Sequence, residues 1–529
     1  MSSGQHSQSV VDRIPPEILL ALGQFLDGPS LVDCLQVCRQ WYHTLKPLVW
    51  STISEYQWHS KSCPIQPDFN PFRDMALLPY LPLIRQISWA ENKIIAATRK
   101  GSKVDVGRQL SAERLAWLLQ RTPNLAILSL RRYHEGFAPV LYRALADLPN
   151  LRRLHICAFH HPTHIPIENM FSLFSRLNEL YLDGSWYSHE KSTEPLLRSE
   201  KATTSWRLRS LRCNRLNLAF TRFCPDLTSF EMDSYEHSSG IPPVSLRFLL
   251  ECPKLETVRL PCFTCPGEFI HLVETFRSLK ALRSLNFIVH LREELEFLCA
   301  PDVPSDKLQR STKTCSSSPP STSMSGQDLL SVPLLEHLHI DQISPEVGQD
   351  DTFRMLRNIL KTRTRLKSFR TNGEAIGPTH LFAQPSQEVR DSWGCRDLES
   401  LFLTLPGCMY AKTREEQRLA WNPIYRQIGQ LSKLQSLTII CFTIEKGKES
   451  GIQQLAGATN LRRLTLHDYD YEATEWTREE ILDLVRALPK LENLQLKPLE
   501  KGNFLQIKSW LCEAGRPDIT FGDRWNRKL

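Results

Sequence analysis

Between His155 and His164 the chain carries five side chains of metal-ligand type: His155, Cys157, His160, His161 and His164. Imidazole and thiolate both bind zinc, and a structural zinc takes four such groups in a tetrahedron. The spacing in this run singles out no set of four, so it reads as a polar loop. Cys262 and Cys265 form a C-x-x-C pair, but a zinc ribbon needs a second pair at ribbon spacing, and the two read as turn cysteines. There is no G-x-S-x-G elbow, no H-E-x-x-H helix and no phosphate-binding glycine loop. With 22 glycines in 529 residues, a nucleotide cradle is not expected. Ser318-Pro319 remains as a phosphate acceptor whose added charge would modulate binding. The expectation is a non-enzymatic protein without metal or cofactor.

Composition narrows the partners. Lys and Arg number 65 against 58 Asp and Glu, a formal charge of +7. Spread over so long a chain, this excess is unlike the concentrated basic stripe of a nucleic-acid binder, so no nucleic acid is expected. No run approaches the roughly 18 apolar residues of a membrane span, and no membrane partner is expected. The opening segment MSSGQHSQS lacks the basic-then-apolar order of a secretory signal, which points to cytoplasm or nucleus. The 15 cysteines are an odd number, and many fall inside apolar phrases. Reduced thiols packing as small hydrophobes account for them better than disulfides do.

The elements that must position any site come from an internal repeat. The phrase L-x-x-L-x-L, or a close variant, begins at Leu125, Leu151, Leu177, Leu208, Leu227, Leu255, Leu282, Leu335, Leu366, Leu398, Leu434, Leu461 and Leu491. Successive copies lie 19 to 36 residues apart, except for a gap of 53 after Leu282; leucine-rich repeats recur at about 20 to 29. The gap holds residues 301–328, a Ser/Thr/Pro-rich segment with little to bury, predicted to be a disordered loop. Helix-period segments lie between the phrases, at 113–119, 269–276, 353–360 and 480–485. Pro or Asn ahead of a phrase, as in Thr122-Pro123-Asn124, stops the helix and turns the chain. The fold class is therefore α/β: a curved solenoid of parallel strands on the concave side and helices on the convex side. A helix near Phe504–Cys512 followed by residues 518–521 reads as a closing cap.

Residues 10–50 differ from the rest. Pro15-Pro16 opens a first helix, in which Ile18, Leu19, Leu22, Phe25 and Leu26 recur on one apolar face. Asp27-Gly28-Pro29 ends it. Ser30 and Asp33 have the spacing of a capping box for a second helix, and Arg39–Leu48 supplies a third. Forty residues bury too little to be stable alone. The skeleton Ile14-Pro15-x-Glu17-Ile18, Phe25-Leu26, Leu31, Leu35, Val37-Cys38-x-x-Trp41 and Leu48-x-Trp50 resembles an F-box, and the whole chain resembles an F-box protein with C-terminal leucine-rich repeats. Ile14 stands where that family usually has leucine, and Cys34 where a small residue is common.

The resemblance implies a substrate-recognition adaptor. Its F-box would dock a Skp-family subunit, and through it a cullin, while the repeats hold a protein target for ubiquitination. Docking by resemblance falls to Ile14, Pro15, Ile18, Leu35, Val37, Cys38 and Trp41, with Trp50 packing the F-box onto the next segment of the chain. The alternative is a Skp-bound or free leucine-rich-repeat scaffold with no role in ubiquitination. The expected organisation is a disordered 1–9, an F-box at 10–50, a linker and irregular first repeat at 51–105, repeats at 106–300, the loop at 301–328, and further repeats with a cap at 329–529. In each phrase the leucines face inward, so alternation sends their neighbours to the concave surface. Candidate target-binding residues there are Arg131, Arg153, His155, Tyr181, Asp183, Arg259, His339, Arg370, Phe402 and His467. Tyr181 and Phe402, with nearby Tyr133, Phe159 and Trp186, are the aromatic anchors.

Overall fold

The computed structural model describes residues 14–54, 75–90, 113, 115–131, 139–157, 172–183, 205–213, 221–232, 246–260, 275–276, 278–289, 298–299, 335–343, 349–371, 392–405, 414–441, 452–468, 476–497 and 501–521. Residues 1–9, most of 51–105 including Trp58, the 301–328 segment with Ser318, and Tyr133, Phe159 and Trp186 lie outside the described residues. So do Cys262, Cys265, His160, His161 and His164. The chain divides into two compact units, Met1–Val244 and Ser245–Leu529.

The first unit begins with three helices, α1 (Pro16–Gly23), α2 (Gly28–Cys34) and α3 (Arg39–Val49). Proline suits the start of α1 because an amide hydrogen there has no intrahelical acceptor. The Pro15 carbonyl accepts from the Ile18 and Leu19 amides, both at 3.1 Å. The cap of α2 differs from the sequence expectation. Asp27, not Ser30, is the N-cap, and its carboxylate accepts the Ser30 amide at 2.9 Å. An aspartate ahead of Gly-Pro can fold back on the next turn, which places Ser30 already inside the helix. α1 meets α3 through Gly23, where a Cβ would come within 2.6 Å of Leu48 Cδ1 and 2.8 Å of Leu45 Cδ2.

Strands follow in chain order. In the first unit β1 (Thr52–Ser54), β2 (Gln86–Ala90), β3 (Ile127–Arg131), β4 (Arg153–Cys157), β5 (Glu179–Asp183), β6 (Ser210–Cys213) and β7 (Ser229–Met232) pair parallel, each with the next. In the second unit the same holds for β8 (Thr257–Leu260), β9 (Ser284–Val289), β10 (His337–Ile343), β11 (Ser368–Thr371), β12 (Ser400–Leu405), β13 (Ser436–Cys441), β14 (Arg463–Asp468), β15 (Asn493–Lys497) and β16 (Thr520–Phe521). Each phrase supplies one strand, and the pairing stacks like on like. Leu128, Leu154, Leu180, Leu211 and Phe230 form one inward row; Val258, Leu285, Leu338, Phe369, Leu401, Leu437, Leu464 and Leu494 form another. All are buried. At about 1.5–3 kcal/mol for each buried leucine, these rows outweigh any polar contact in the array.

Three devices recur where neighbouring repeats meet. The carbonyl just ahead of most strands accepts two amides from the next repeat, as Gln435 does from Arg462 and Arg463 at 2.9 and 3.0 Å. A turn then places a buried residue three before the first leucine: Thr122, Cys224, Cys252, Cys395, Leu431, Ala458 and Leu488. Arg363 occupies the same place, fully buried, with its Nε donating to the Leu298 carbonyl at 2.9 Å. The turn asparagines reach back one repeat: Asn124 to the Pro82 carbonyl at 2.8 Å, Asn150 to Pro123 at 3.1 Å, and Asn460 to Ser432 at 2.7 Å.

Between strands run α4 (Pro139–Ala146), α5 (Gln349–Thr362), α6 (Arg414–Gly429), α7 (Arg478–Ala487) and α8 (Lys501–Glu513). α5 and α7 cover the helical segments expected at 353–360 and 480–485, and α8 with β16 forms the expected last helix and strand. α7 carries a true capping box: Glu480 N–H donates to Thr477 Oγ1 at 3.3 Å and Thr477 N–H to Glu480 Oε2 at 2.9 Å. Not every connection is α-helical. Leu246–Glu251 and Ile452–Gly457 are 3₁₀ helices. Rising about 2.0 Å per residue against 1.5 Å in an α-helix, they let a short segment span the repeat. Glycine makes this close packing possible: a Cβ on Gly429 would overlap the Gln454 carbonyl oxygen, and one on Gly457 would overlap that of Gly429.

Two expected outcomes check the arrangement. Leu437→Ala should lower unfolding stability by about 2–5 kcal/mol, whereas its outward neighbour Thr438→Ala should change it by no more than about 0.5 kcal/mol in chemical denaturation. Burial pushes the Cys252 and Cys395 thiols up to about 12, the Glu251 charge adding at Cys252. At pH 8 both should resist an alkylating reagent that labels exposed Cys512, as mass spectrometry of the digested protein would show.

Candidate functional site

The helical module leaves apolar surface uncovered. Its core is small: Leu19, Leu31 and Leu45, with Ile14, Cys34, Leu35, Trp41, Leu48 and Val49 packed partly against it. Only Leu19 and Gly23 of α1 are buried. Ile18, Leu22, Phe25 and Leu26, grouped on one apolar face by their spacing, point out instead, Phe25 being 88% and Ile18 52% exposed. The reason is the Gly23 contact, which turns the side of α1 bearing Leu19 and Gly23 onto α3. Val37, between α2 and α3, is 51% exposed.

The seven residues assigned to docking therefore divide. Pro15, Ile18 and Val37 are exposed. Ile14, Leu35 and Trp41 are half-buried against the core, and Cys38 is half-buried as the N-cap of α3. Leu22 and Phe25 belong with the exposed group and were absent from the assignment. The signal available was arithmetic: a module this short has more large apolar residues than three helices can enclose.

The module is joined firmly to the strands. Trp50, at the end of α3, stacks on Tyr80 with ring centroids 4.7 Å apart and planes within 8°. Lys46 Nζ lies 4.3 Å from the centre of the same Tyr80 ring and 4.9 Å from that of Tyr42. The hydrogen bond from Lys46 holds the Tyr42 phenol below its ordinary range, with Tyr80 and the Lys46 charge adding. The Ser51 carbonyl accepts the Arg85 and Gln86 amides at 2.8 and 2.9 Å, so the chain leaves α3 directly into paired strands.

Along the strands, outward residues alternate with the buried rows. In the first unit the central outward row runs Ser129, His155, Tyr181, Arg212, Glu231. It is linked side to side: Ser129 Oγ lies 3.2 Å from His155 Nδ1, the His155 and Tyr181 rings 3.8 Å apart, the Arg212 guanidinium 4.1 Å over Tyr181, and Arg212 pairs with Glu231 at 3.3 Å. In the row beside it Arg153 pairs with Glu179 at 3.1 Å. Arg131 and Asp183 end β3 and β5.

In the second unit the central row is Arg259, Asn286, His339, Arg370, Phe402, Thr438, Thr465 and Gln495. Asp341 gathers one end of it, meeting Arg259 at 3.3 Å and His339 Nε2 at 2.9 Å, while Asn286 Nδ2 lies 3.0 Å from His339 Nδ1. Burial pushes the Asp341 carboxyl up, but the His339 hydrogen bond and the His339 and Arg259 charges outweigh it and hold the group below the ordinary aspartate range. The Arg370 guanidinium sits 4.2 Å over Phe402. His467 stands one row across, opposite Lys497 in register. The ten candidate target-binding residues are thus spread over both units and several rows. Among the described residues no group of three or more His, Cys, Asp or Glu side chains is arranged to hold a metal ion. No described helix is long and apolar enough to cross a membrane.

A short helical module with an unburied apolar stripe, leading into parallel α/β repeats, is the class this fold defines. Residues 11–55 match the family model described as F-box-like, so the chain carries an F-box-like domain there. Among solved structures it is similar to a chain in "Crystal structure of Rad7 and Elc1 complex in yeast", at 14% identity over 79% of this chain and 79% of that one, with a TM-score of 0.32. No curated protein matches the chain.

The Asp341 cluster has a measurable signature. A carboxyl held low contributes stability above the ordinary aspartate range and loses it as pH falls through its lowered folded value. Asp341→Asn should lower the unfolding midpoint at pH 7, and the difference from the unmodified protein should shrink toward pH 3.

Proposed function

We propose that this chain is the substrate-recognition adaptor of a Skp-cullin-F-box ubiquitin ligase. The F-box-like helices dock a Skp-family subunit, which connects to the cullin, and the outward strand face holds a protein target for ubiquitination. The observation that supports this reading best is that Ile18, Leu22, Phe25 and Val37 are all left in solvent by a domain whose own core holds three leucines. Large apolar side chains left exposed together mark protein interaction sites, and helical faces of this kind bury themselves in grooves of a partner. Pro15 is exposed as well. Trp41, Leu35 and Ile14 serve it indirectly, since each packs against the Leu19–Leu31–Leu45 core and holds the helices in place. The stacked Trp50–Tyr80 joint fixes the docking face relative to the first strands, and a fixed spacing matters where a target lysine must meet an activated ubiquitin.

The mutations that test this are the exposed ones, because truncating Trp41 would disturb the core as well. Ile18→Asp combined with Val37→Asp should reduce the Skp-family subunit recovered in co-purification at least tenfold, with the circular dichroism spectrum unchanged. Undiminished recovery refutes the docking assignment. Recovery of the Skp-family subunit without any cullin, from the unmodified protein, favours a scaffold without ubiquitination.

A further inference from the structure

The position just ahead of a strand has one backbone role in both units and is filled differently in each. In most repeats its carbonyl accepts two amides of the next repeat, so the residues standing there form a row across the strands. In the second unit that row closes on itself through opposite charges. Glu336 meets Lys367 at 2.8 Å and Arg283 at 3.9 Å, and Glu492 meets Arg462 at 3.2 Å. In the first unit the row reads Arg85, Ala126, Arg152, Asn178, Arg209 and Thr228. Guanidiniums alternate there with small neutral residues, and the row holds no carboxylate.

Arg85, Arg152 and Arg209 are all exposed, and none of them is paired with a described carboxylate. Arg152 Nη1 donates to the Pro149 and Leu151 carbonyls at 3.0 and 3.1 Å, which orients the group without matching its charge. The adjoining turns add exposed Arg207 and also Arg176, which donates to the Ala146 carbonyl at 2.7 Å. The described carboxylates beside the row are Glu179, which Arg153 engages at 3.1 Å, and Asp147 and Asp226 in the turns. The three guanidiniums precede β2, β4 and β6. With neighbouring strands about 4.8 Å apart, the step between them is about 9.6 Å. At that distance salt screens them from one another, yet one segment can reach all three. A polyproline-II segment has three residues per turn and rises about 3.1 Å per residue, so carboxylates at every third position face one way about 9.3 Å apart. A β-strand repeats its direction every second residue, about 6.8 Å, and fits the step less well. Single-stranded nucleic acid is held by cations together with aromatic side chains on which bases stack, and no aromatic residue stands in this row. Guanidinium and carboxylate form the stronger, charge-assisted kind of hydrogen bond.

We infer that the row Arg85, Arg152, Arg209, along the edge where β2–β6 begin, binds an acidic extended segment of a protein partner with Asp or Glu at about every third residue. This surface uses neither the docking residues nor the outward-face candidates, so it goes beyond the function proposed above.

The test uses the full-length protein and a fluorescein-labelled proline-rich peptide with three Glu, one at every third position, read by anisotropy. The Glu peptide should bind at least tenfold more tightly than its Gln counterpart, and the affinity should fall as salt rises from 50 to 300 mM. Arg85→Gln with Arg209→Gln should weaken binding at least fivefold and leave the unfolding midpoint unchanged; Arg152 is spared because it also bonds its own turn. Arg462→Gln, in the row of the second unit where Glu492 engages it, should leave binding unchanged. Equal binding of the Gln peptide, equal binding of a peptide with its three Glu side by side, indifference to the paired Arg substitutions, an equal loss with Arg462→Gln, or tighter binding of a single-stranded oligonucleotide of equal charge would each overturn the inference. Since none of these substitutions lies in the F-box-like domain, the measurements can fail while Skp-family co-purification succeeds, and the reverse.

Discussion

A leucine on a short parallel strand cannot be buried by its own repeat. It is enclosed only when the strand before and the strand after present leucines at the same height, and the rest of this structure depends on that requirement. It explains why the leucine rows pair in register along each unit, why the double hydrogen bond to the carbonyl ahead of a strand recurs at most repeats, and why the turn before the strand keeps one geometry whether the buried residue there is Thr122, Cys224 or Arg363. Stability in such an array is a sum of neighbour contacts, so no single repeat is dispensable without exposing two others.

The same requirement frees the opposite face. Since inward rows carry the cohesion, outward residues answer to nothing but their neighbours and solvent, and the two units have used that freedom differently. The first ties its outward side chains together through Ser129, His155, Tyr181, Arg212 and Glu231. The second gathers Arg259, His339 and Asn286 around Asp341 and sets Arg370 over Phe402. The helical module shows the complementary case: too few layers to enclose its apolar residues, and a stripe on α1 that needs something outside the described core.

Much of this could be read in the sequence. The L-x-x-L-x-L phrase places both the strands and their buried sides, because a period of two leaves no freedom about which residues face inward once two leucines are fixed. The same reading fails where one residue has two structural uses. Ser30 has the chemistry of an N-cap, but Asp27, three residues earlier, accepts the amide of Ser30 itself, so the helix has already begun there. Ile18, Leu22 and Phe25 have the spacing of a buried face, and only the contact of Gly23 with Leu45 and Leu48, absent from any pattern, turns that face out. The Asp341 cluster was likewise hidden, since it depends on which outward residues become neighbours across segments of unequal length.

One row of the second unit constrains more than it stabilises. The residues just ahead of the strands run Arg283, Glu336, Lys367, Glu399, Gln435, Arg462, Glu492, with sign reversing from repeat to repeat across a neutral Gln435. Each exposed pair is worth at most about 1 kcal/mol. Collectively the row works as a parity check on the order of the repeats. Excising one repeat between β9 and β12 would set like charges side by side, whereas excising two would restore the alternation. The charges ahead of the strands thus distinguish one order of these repeats from another, which the leucines do not.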